Sequence, residues 1–445
     1  MQKGDFMMSS TTHKGTKTET SATEAVSASI PQKTLLLDAV FCLLCVGMVY
    51  FVFYAFTGSW PWKDNPYNSY ALQADSWLHG RLDLGQDYPY LELAIFEGKY
   101  FVSFPPFPSY VLLFFIPFFG TNTPDHLITL VFSGIAVVYT LKLFTTWRST
   151  EKHAIFWTLF ANIGTNVLFV SCLGGQVWFI AQTMAFALSM MALYYAVTGK
   201  GGLSLALWAC SVGCRPMLAL FFPLLAWLLL DHYRTNVKKD TSILDLVKLK
   251  WHWAIPTFII ALSYMLLNYF RFGNIMEFGH NYLPEFMREE MGQFNTGYMA
   301  ENFKHLWRLP EVTEEGTLSF YNYDGVAFWL VSPLFLSYLY YVIRHIVIYV
   351  QNRDKTGRKQ RSVLFPALYI PLACIVYVMI LIAHKTMGGW HFGNRYLNDI
   401  LPFIFFGALL YMPQKDRLWR IHTPLFALGL SLNLIGTIAL VNGWI

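Results

Sequence analysis

Long apolar runs separated by short polar segments make up most of the chain, and this pattern determines the predicted architecture. An α-helix rises about 1.5 Å per residue, so about 20 apolar residues cross the ~30 Å hydrocarbon core of a bilayer. The runs therefore predict an all-α polytopic membrane protein with about 11 transmembrane helices. The predicted spans are residues 34–57, 126–146, 154–172, 178–197, two short helices within 203–230, and then 251–270, 326–350, 363–383, 396–412 and 424–440.

Two apolar stretches have lengths that do not fit a single span. Residues 107–119 would rise only about 20 Å, so they are predicted to form a surface helix. Residues 203–230 would rise about 42 Å, and the proline of Cys214-Arg215-Pro216 favours a break. These residues are therefore predicted to form two short helices that meet outside the membrane. The alternative reverses both assignments, but only the first keeps the basic turn at residues 148–152 cytoplasmic.

Lysine and arginine concentrate in short loops between apolar runs, which is typical of the cytoplasmic side of a membrane protein. These loops are residues 231–250, 352–362 and 415–420. Residues 1–33 are rich in Ser, Thr and Lys, and they are predicted to form a disordered cytoplasmic tail. Residues 34–445 form one predicted membrane domain, whose long external loops are residues 58–125 and 271–325.

The composition supports the membrane assignment and limits the functions to be considered. Of the 445 residues, 55% are hydrophobic and 13% are charged, whereas soluble domains carry about 25% charged residues. The net charge of +5 comes from the short basic loops, so binding to nucleic acid is not expected. All six cysteines lie in apolar segments, which favours buried small side chains over disulfides or metal ligands. The chain is predicted to be a multi-pass protein of a bacterial cell membrane.

The first external loop holds the acidic residues that are best placed for chemistry. Tyr67 to His79 fits an amphipathic surface helix that ends before Gly80. Its apolar stripe consists of Tyr70, Ala74, Trp77 and Leu78. Asp75 lies off that stripe, and Glu92 follows 17 residues later, beyond a turn. Such a pair can act as a base with its orienting partner, or as two ligands of a divalent cation. Both residues can equally be solvated acids, and Asp64, Asp83 and Asp87 compete for the same role.

A late segment carries a second set of charges. In Gly393-Asn394-Arg395-Tyr396-Leu397-Asn398-Asp399, an arginine stands at the external mouth of a predicted helix, with an aspartate four residues further on. In an α-helix these two side chains share a face. Arg395 can then bind a phosphate bidentately while Asp399 holds it in place. The alternative is a structural ion pair. Arg215 is a second basic group at the external side, whereas His280, His384 and His391 lack metal-ligand spacing.

Three sequence features together resemble a known superfamily. The first is Glu92-Leu93-Ala94-Ile95-Phe96-Glu97-Gly98-Lys99-Tyr100-Phe101, which follows the amphipathic helix. The second is the surface helix that begins after Pro105-Pro106, and the third is the late Arg-Tyr-x₅-Pro-Phe segment from Arg395 to Phe403. In this order they resemble the GT-C superfamily of polyprenyl-phosphate-sugar-dependent membrane glycosyltransferases. Its members include lipid A aminoarabinose transferases and protein O-mannosyltransferases.

The resemblance implies an external active site in which an acid of the first loop is the general base and basic side chains hold the lipid phosphate. By this resemblance Asp75 is the expected base, with Glu92 at the other matching acidic position. Arg395 is the expected phosphate ligand, assisted by Lys99 and Arg215. The remaining residues of the expected donor site are Tyr396, Asp399, His280 and Tyr282.

Some members of the superfamily use a divalent metal cation and others do not, so a cation is a possible cofactor. One position departs from the superfamily pattern. Members often carry an acid about three residues before the tyrosine that matches Tyr70, where this chain has Tyr67-Asn68-Ser69. The identity of the base therefore stays open among Asp64, Asp75, Asp87 and Glu92.

The sequence thus predicts transfer of a sugar, with inversion, from a polyprenyl-phosphate donor to a glycan, lipid or protein acceptor of the cell envelope. The expected partners are this donor, the acceptor and membrane lipids. One alternative is a multi-pass lipid or solute transporter, which would carry charges deep inside several helices. The charges instead cluster at the external ends of the predicted spans. A second alternative is a non-catalytic assembly protein, which would tolerate the loss of Arg395.

Overall fold

The computed structural model describes residues 32–63, 65–148, 153–314, 316, 318–351, 364–413 and 419–445. Several predictions fall outside these residues. They concern most of the N-terminal tail, the loop 352–362, most of the loop 415–420, Lys152 and the candidate base Asp64.

The described chain is mainly helical and confirms a polytopic membrane protein. Seven helices are long and apolar enough to cross a bilayer, or eight if a bent pair with a 63° angle at residues 154–173 is one span. Two further apolar helices, at 201–212 and 334–348, are shorter than a span. The predicted number of about 11 spans therefore remains a prediction.

Most long helices begin and end within a few residues of the predicted bounds, but the predicted spans 154–172 and 326–350 are each divided into two helices. In chain order they are α1 (Gln32–Thr57), α2 (Ser69–Leu78), α3 (Phe107–Leu112), α4 (Ile116–Phe119), α5 (Asp125–Trp147), α6 (Ala154–Ile163), α7 (Val167–Leu173), α8 (Val177–Val197), α9 (Gly201–Val212), α10 (Phe222–Asn236), α11 (Ile243–Lys250), α12 (Ala254–Phe272), α13 (Pro284–Met287), α14 (Met299–His305), α15 (Phe328–Val331), α16 (Leu334–Gln351), α17 (Leu364–Ile382), α18 (Leu401–Tyr411) and α19 (Trp419–Val441).

The predicted break within residues 203–230 is confirmed. Helix α9 ends at Val212, and a 3₁₀ helix at Pro216–Phe221 leads into α10. Proline lacks the N–H that a continuing helix needs, so Arg215 is left in an extended conformation between the two helices. Residues 107–119 form the short helices α3 and α4 in place of the single predicted surface helix.

The predicted first external loop, residues 58–125, contains a β-hairpin that was not predicted. Strands β1 (Leu93–Phe96) and β2 (Lys99–Val102) pair antiparallel, with Phe96 opposite Lys99. The turn residues Glu97 and Gly98 both have positive φ, as in a type I′ turn. The sequence predicted irregular or extended chain after Gly80, so the two strands agree with the extended alternative, whereas the tight turn that pairs them was not predicted. A second short ladder pairs β3 (Glu311–Val312) with β4 (Leu318–Ser319).

Helix α2 packs against other parts of the chain, and its buried face differs from the predicted apolar stripe. Tyr70 and Ala74 are buried, but Leu78 is 51% exposed. The polar Gln73 is also buried, and its Oε1 accepts a 2.8 Å hydrogen bond from Ser109 Oγ of α3. Gly80 follows the helix with a φ of +72°, as the predicted cap requires.

Helix α8 is the central helix of the bundle. In the most apolar 18-residue stretch of α8, 83% of the residues are buried, whereas in that of α1 only 17% are buried. Alanines recur along α8, and small side chains let neighbouring helices approach closely. Its first two turns carry Trp178 and Gln182, which bring polar groups to the mouth of the bundle.

Candidate active site

Five segments that are distant in sequence meet at one end of α8. The backbone N–H of Phe107 donates to Gly213 O at 3.0 Å, which joins the hairpin segment to the turn at Arg215. His280 Nδ1 lies 2.7 Å from Ser103 O, and Gln182 Nε2 donates to Arg395 O at 2.8 Å. These contacts connect the two long loops, residues 58–125 and 271–325, with α8 and the late segment that contains Arg395.

Asp399 binds Arg215, contrary to the predicted pairing with Arg395. Arg215 Nε donates to Asp399 Oδ2 at 2.7 Å, and Tyr377 Oη donates to the same oxygen at 2.8 Å. Residues 395–400 form a 3₁₀ helix, in which side chains three apart share a face, so the predicted i, i+4 pair does not form. Burial by itself lowers the pKa of Arg215, but Asp399 outweighs it and raises this pKa above its usual range. Arg215 is therefore a fixed cation.

Arg395 is a second buried cation, and only part of its guanidinium group forms hydrogen bonds with the protein. Its side chain is buried, and its Nε and Nη2 donate to Gly388 O at 3.1 and 2.5 Å. Gly388 has a φ of +121°, and a Cβ there would lie 3.3 Å from Arg395 Nε, so glycine permits this close approach. Among the described residues, no protein group accepts from Nη1, which stays available to a ligand.

The two arginines share one aromatic ring. The Cζ atoms of Arg215 and Arg395 each lie 4.8 Å from the centroid of the Tyr396 ring. A ring face attracts cations, so Tyr396 offsets part of the repulsion between the two like-charged guanidinium groups. Burial lowers the pKa of Arg395, and Arg215 acts in the same direction. The two arginines therefore give this end of the bundle a positive charge that can attract an anion.

Glu92 belongs to the same cluster. It is solvent-exposed, and its Oε2 accepts a 2.9 Å hydrogen bond from Trp178 Nε1. The Glu92 charge also acts on three neighbours, since it moves the pKa of His280, Glu285 and Arg395 upward. The Glu92 carboxylate therefore lies within electrostatic range of Arg395, and the Trp178 hydrogen bond leaves its Oε1 free.

Three predicted site residues lie apart from these contacts. Asp75 Oδ2 is 3.5 Å from His79 Nδ1, and the Asp75 side chain is 28% exposed. Asp75 is not among the charges that act on the pKa of Arg215 or Arg395. Lys99 lies exposed at the hairpin turn, and Tyr282 packs its ring 4.6 Å from that of Phe96. The roles predicted for these residues stay predictions.

Three histidines around the cluster are held neutral. Burial lowers the pKa of His280, lowers that of His384 to about 4 and lowers that of His391 to about 3. His384 Nε2 lies 3.1 Å from the amide nitrogen of Gln293, which can only donate, so this ring nitrogen carries no proton. The cationic character of the cluster therefore comes from the arginines.

We expect the stability of the protein to fall when the pH drops below 6.5. The unfolded histidines titrate near 6.5, whereas folded His384 and His391 resist protonation down to about 4 and 3. The unfolded state therefore binds more protons in this window. Each of the two histidines then lowers the free energy of unfolding by about 1.4 kcal/mol for each pH unit of acidification. Thermal unfolding in detergent between pH 7.5 and 5.5 measures this slope. His384→Gln should flatten it, whereas His79→Gln, at a 66% exposed side chain, should leave it unchanged.

Several residues of the cluster were not predicted. Tyr377 and Gln182 are polar residues inside apolar runs, and that contrast is a signal for a buried polar contact. Trp178 lies at the end of a span, where tryptophan is common, so its contact with Glu92 leaves no signal in the sequence. Lys385 forms a 2.9 Å ion pair with Glu289 above the cluster.

The donor set of the cluster does not fit a metal ion held by the protein alone. Within the described part of the chain, no group of three or more His, Cys, Asp or Glu side chains comes together as metal ligands. Of the two carboxylates nearest the arginines, Asp399 is bound to Arg215, which leaves Glu92. The divalent cation stays a sequence prediction.

Comparisons with known proteins give a partial match in fold to solved structures and no match in sequence. No model of a known protein family matches the sequence, and no curated protein does. Among solved structures, the chain is similar to the crystal structure of ArnT from Cupriavidus metallidurans in the apo state. The match has a TM-score of 0.49 and 12% identity, and it covers 90% of this chain and 76% of that chain. At this similarity the overlap assigns no role to any residue.

Proposed function

We propose that the chain is a GT-C-type membrane glycosyltransferase. It transfers a sugar from a polyprenyl-phosphate donor to a hydroxyl group of an extracytoplasmic cell-envelope acceptor, with inversion at the anomeric carbon. The observation that carries this proposal is the water-accessible Glu92 carboxylate, whose charge acts on the buried Arg395 at the mouth of an apolar bundle. A hydroxyl nucleophile needs a base, and a phosphate leaving group needs cations.

The proposed reaction is a single displacement. The acceptor oxygen attacks the anomeric carbon as the bond from that carbon to the phosphate oxygen breaks. The electron pair of this bond passes to the phosphate, and the acceptor proton passes to Glu92. The donor phosphodiester carries one negative charge and the released phosphomonoester gains another. Arg395 and Arg215 therefore stabilise the transition state more than the ground state.

Glu92 is the base that the geometry supports best. Trp178 occupies Oε2 of its carboxylate, which leaves Oε1 for the proton. Asp75 stays the competing candidate, because the resemblance implies an acid of the first external loop. Lys99 and Tyr282 are proposed to contact the donor or acceptor when either is bound, and His280 to line the site as a neutral group.

The donor is expected to arrive from within the bilayer. Its prenyl tail partitions at ~0.8 kcal/mol per buried CH₂, so it is held in the membrane and diffuses laterally. Spans Val177–Val197, Leu364–Ile382 and Ile421–Val441 contain no Asp, Glu, Lys or Arg, which suits an apolar groove. This lack of charges in three spans gives no support to a transporter.

A transfer assay tests the proposal. The purified protein in detergent is given a panel of polyprenyl-phosphate sugars, with and without a chelator. We expect release of polyprenyl phosphate from one donor in the panel, and the chelator arm determines whether a metal ion takes part. A folded protein that releases nothing from any donor, and that no donor stabilises thermally, would refute the transferase assignment.

Trp178 is proposed to position Glu92, so Trp178→Phe is expected to lower kcat about 10-fold. The change removes one hydrogen bond to a charged group and keeps most of the ring. In a Glu92→Gln background the same change should have almost no further effect, which a merely structural role would not produce. Trp208→Phe is the matched control, because Trp208 Nε1 donates to Leu218 O at 3.0 Å within the bundle. Equal losses in the two single variants would contradict the positioning role.

A further inference from the structure

Helix α14 and the residues after it expose aromatic and basic side chains together. Phe303 and Trp307 are 52% and 58% exposed, and their ring centroids lie 6.2 Å apart. With Lys304 and Arg308 they line a shallow cavity of about 490 Å³. The opposite face of α14 is buried, so this surface is not needed for packing within the chain.

Hydrogen bonds attach α14 to the end of a membrane span. Asn302 Nδ2 donates to Ile382 O at 2.9 Å and to His384 O at 2.7 Å, at the C-terminal end of α17. Helix α17 has 19 residues and therefore rises about 28 Å, close to the ~30 Å thickness of the hydrocarbon core. Its last residue then lies at the boundary between hydrocarbon and headgroups, and α14 lies at the same depth.

The exposed side of α17 leads to this boundary. Four apolar residues spaced along one helical face are each 47–59% exposed: Leu368, Leu372, Ile375 and Met379. A regular exposed apolar face on a spanning helix is covered by lipid acyl chains. Lipid that covers α17 thus ends beside Phe303 of α14 and Trp307, which follows that helix.

The charges around the cavity favour a singly charged anion. Lys304 lies 2.9 Å from Glu301, and the Arg308 guanidinium lies 4.2 Å from the centroid of the Tyr321 ring. Burial lowers the pKa of His305, so this histidine is neutral near pH 7. Two basic side chains and one carboxylate leave the lining with one positive charge. A phospholipid phosphodiester carries one negative charge.

We propose that this surface is a phospholipid-binding site. The headgroup phosphate lies between Lys304 and Arg308, the glycerol region packs on Phe303 and Trp307, and the acyl chains run along α17. Aromatic side chains prefer this depth of the bilayer, and basic side chains attract anionic headgroups. The site fixes the second external loop to the membrane surface beside the cation cluster, and it does not depend on the proposed transfer reaction.

Fluorescence quenching tests where Trp307 lies. The full-length protein is reconstituted into vesicles that contain phosphatidylcholine brominated near the top of the acyl chains. The signal of Trp307 is the difference between the wild type and Trp307→Phe. We expect brominated lipid to quench this signal and aqueous iodide to leave it almost unchanged. Quenching by iodide with no effect of brominated lipid would overturn the proposal, because the surface would then face water.

Lipid binding tests the proposed phosphate contacts. Phosphatidylglycerol is titrated into delipidated full-length protein, and bound lipids are counted by native mass spectrometry. Lys304→Gln and Arg308→Gln are each expected to weaken one binding event about fivefold, and the double variant about 25-fold. The double variant Lys238→Gln/Lys239→Gln changes the charge equally at an exposed basic loop and should leave that event intact. Equal weakening in both double variants, or displacement of the lipid by a short-chain polyprenyl phosphate, would refute a phospholipid site.

Discussion

Replacing Glu92 by glutamine is expected to lower kcat for sugar transfer by about 10²–10⁴-fold, the range that a positioned general base contributes. Glutamine keeps the size of the side chain and can still accept from Trp178 Nε1, so the fold and the hydrogen bond at 2.9 Å should persist. The amide cannot take the acceptor proton. KM for the donor should change little, because Glu92 does not bind the phosphate. Initial rates of polyprenyl phosphate release, at several donor concentrations, separate the two constants.

Asp75→Asn is the control that decides between the two carboxylates. Asp75 is paired with His79 and not with the arginines, so its loss should leave kcat within a few-fold of the wild type. The sequence resemblance favours the opposite result. Loss of transfer in Asp75→Asn, with near-normal transfer in Glu92→Gln, would assign the base to Asp75 and remove Glu92 from the mechanism. In both variants, thermal unfolding checks that the protein is folded.

The helices of this chain follow from local sequence, and most of them were predicted. Apolar length identified the spans, and the single residue Pro216 correctly indicated the break before α10. The hairpin was missed because its turn is Glu97-Gly98, and glutamate is uncommon at a position with positive φ. Local sequence patterns therefore located most helices but not every turn that sets the direction of the following segment.

The pairing of the buried charges did not follow from spacing alone. Arg395 and Asp399 share a face only in an α-helix, and the chain there is 3₁₀ up to Ile400. Pro402 is the residue that indicates where the α-helix starts, and the prediction overlooked it. Proline suits the first turn of a helix and cannot continue a preceding one. The true partner, Arg215, is 184 residues away from Asp399, and no local pattern reports a contact at that distance.

The same long-range contacts explain why the site was only partly predicted. The motif around Glu92 and the arginine of the late segment were recognised by residue type. What joins them is the set of contacts from Trp178, Tyr396 and Gly388, and these depend on how α8 and the late segment pack. Prediction from residue type therefore found the charged groups and Tyr396, but it missed Trp178 and Gly388, which orient Glu92 and Arg395.

Replacing Arg395 by glutamine is expected to lower kcat by about 10²–10³-fold, the cost of removing one preorganised group that stabilises developing charge. Nε and Nη2 are fixed by Gly388 O, so the guanidinium is oriented before the donor binds, and its free Nη1 can meet the phosphate without reorganisation. Arg395→Lys should recover only part of this loss, because one ammonium group cannot replace the planar fork. Single-turnover rates with a saturating donor measure the effect.

The control for loss of charge is Arg81→Gln, because Arg81 is an exposed arginine of the predicted first external loop. This variant should keep kcat near the wild-type value. If Arg395→Gln raised KM while kcat stayed within threefold of the wild type, Arg395 would bind the donor equally in the ground and transition states. Arg215 would then be the residue that stabilises the phosphate leaving group. Arg215 is less suited to that task, because Asp399 already neutralises it at 2.7 Å and would compete with the phosphate as its negative charge increases.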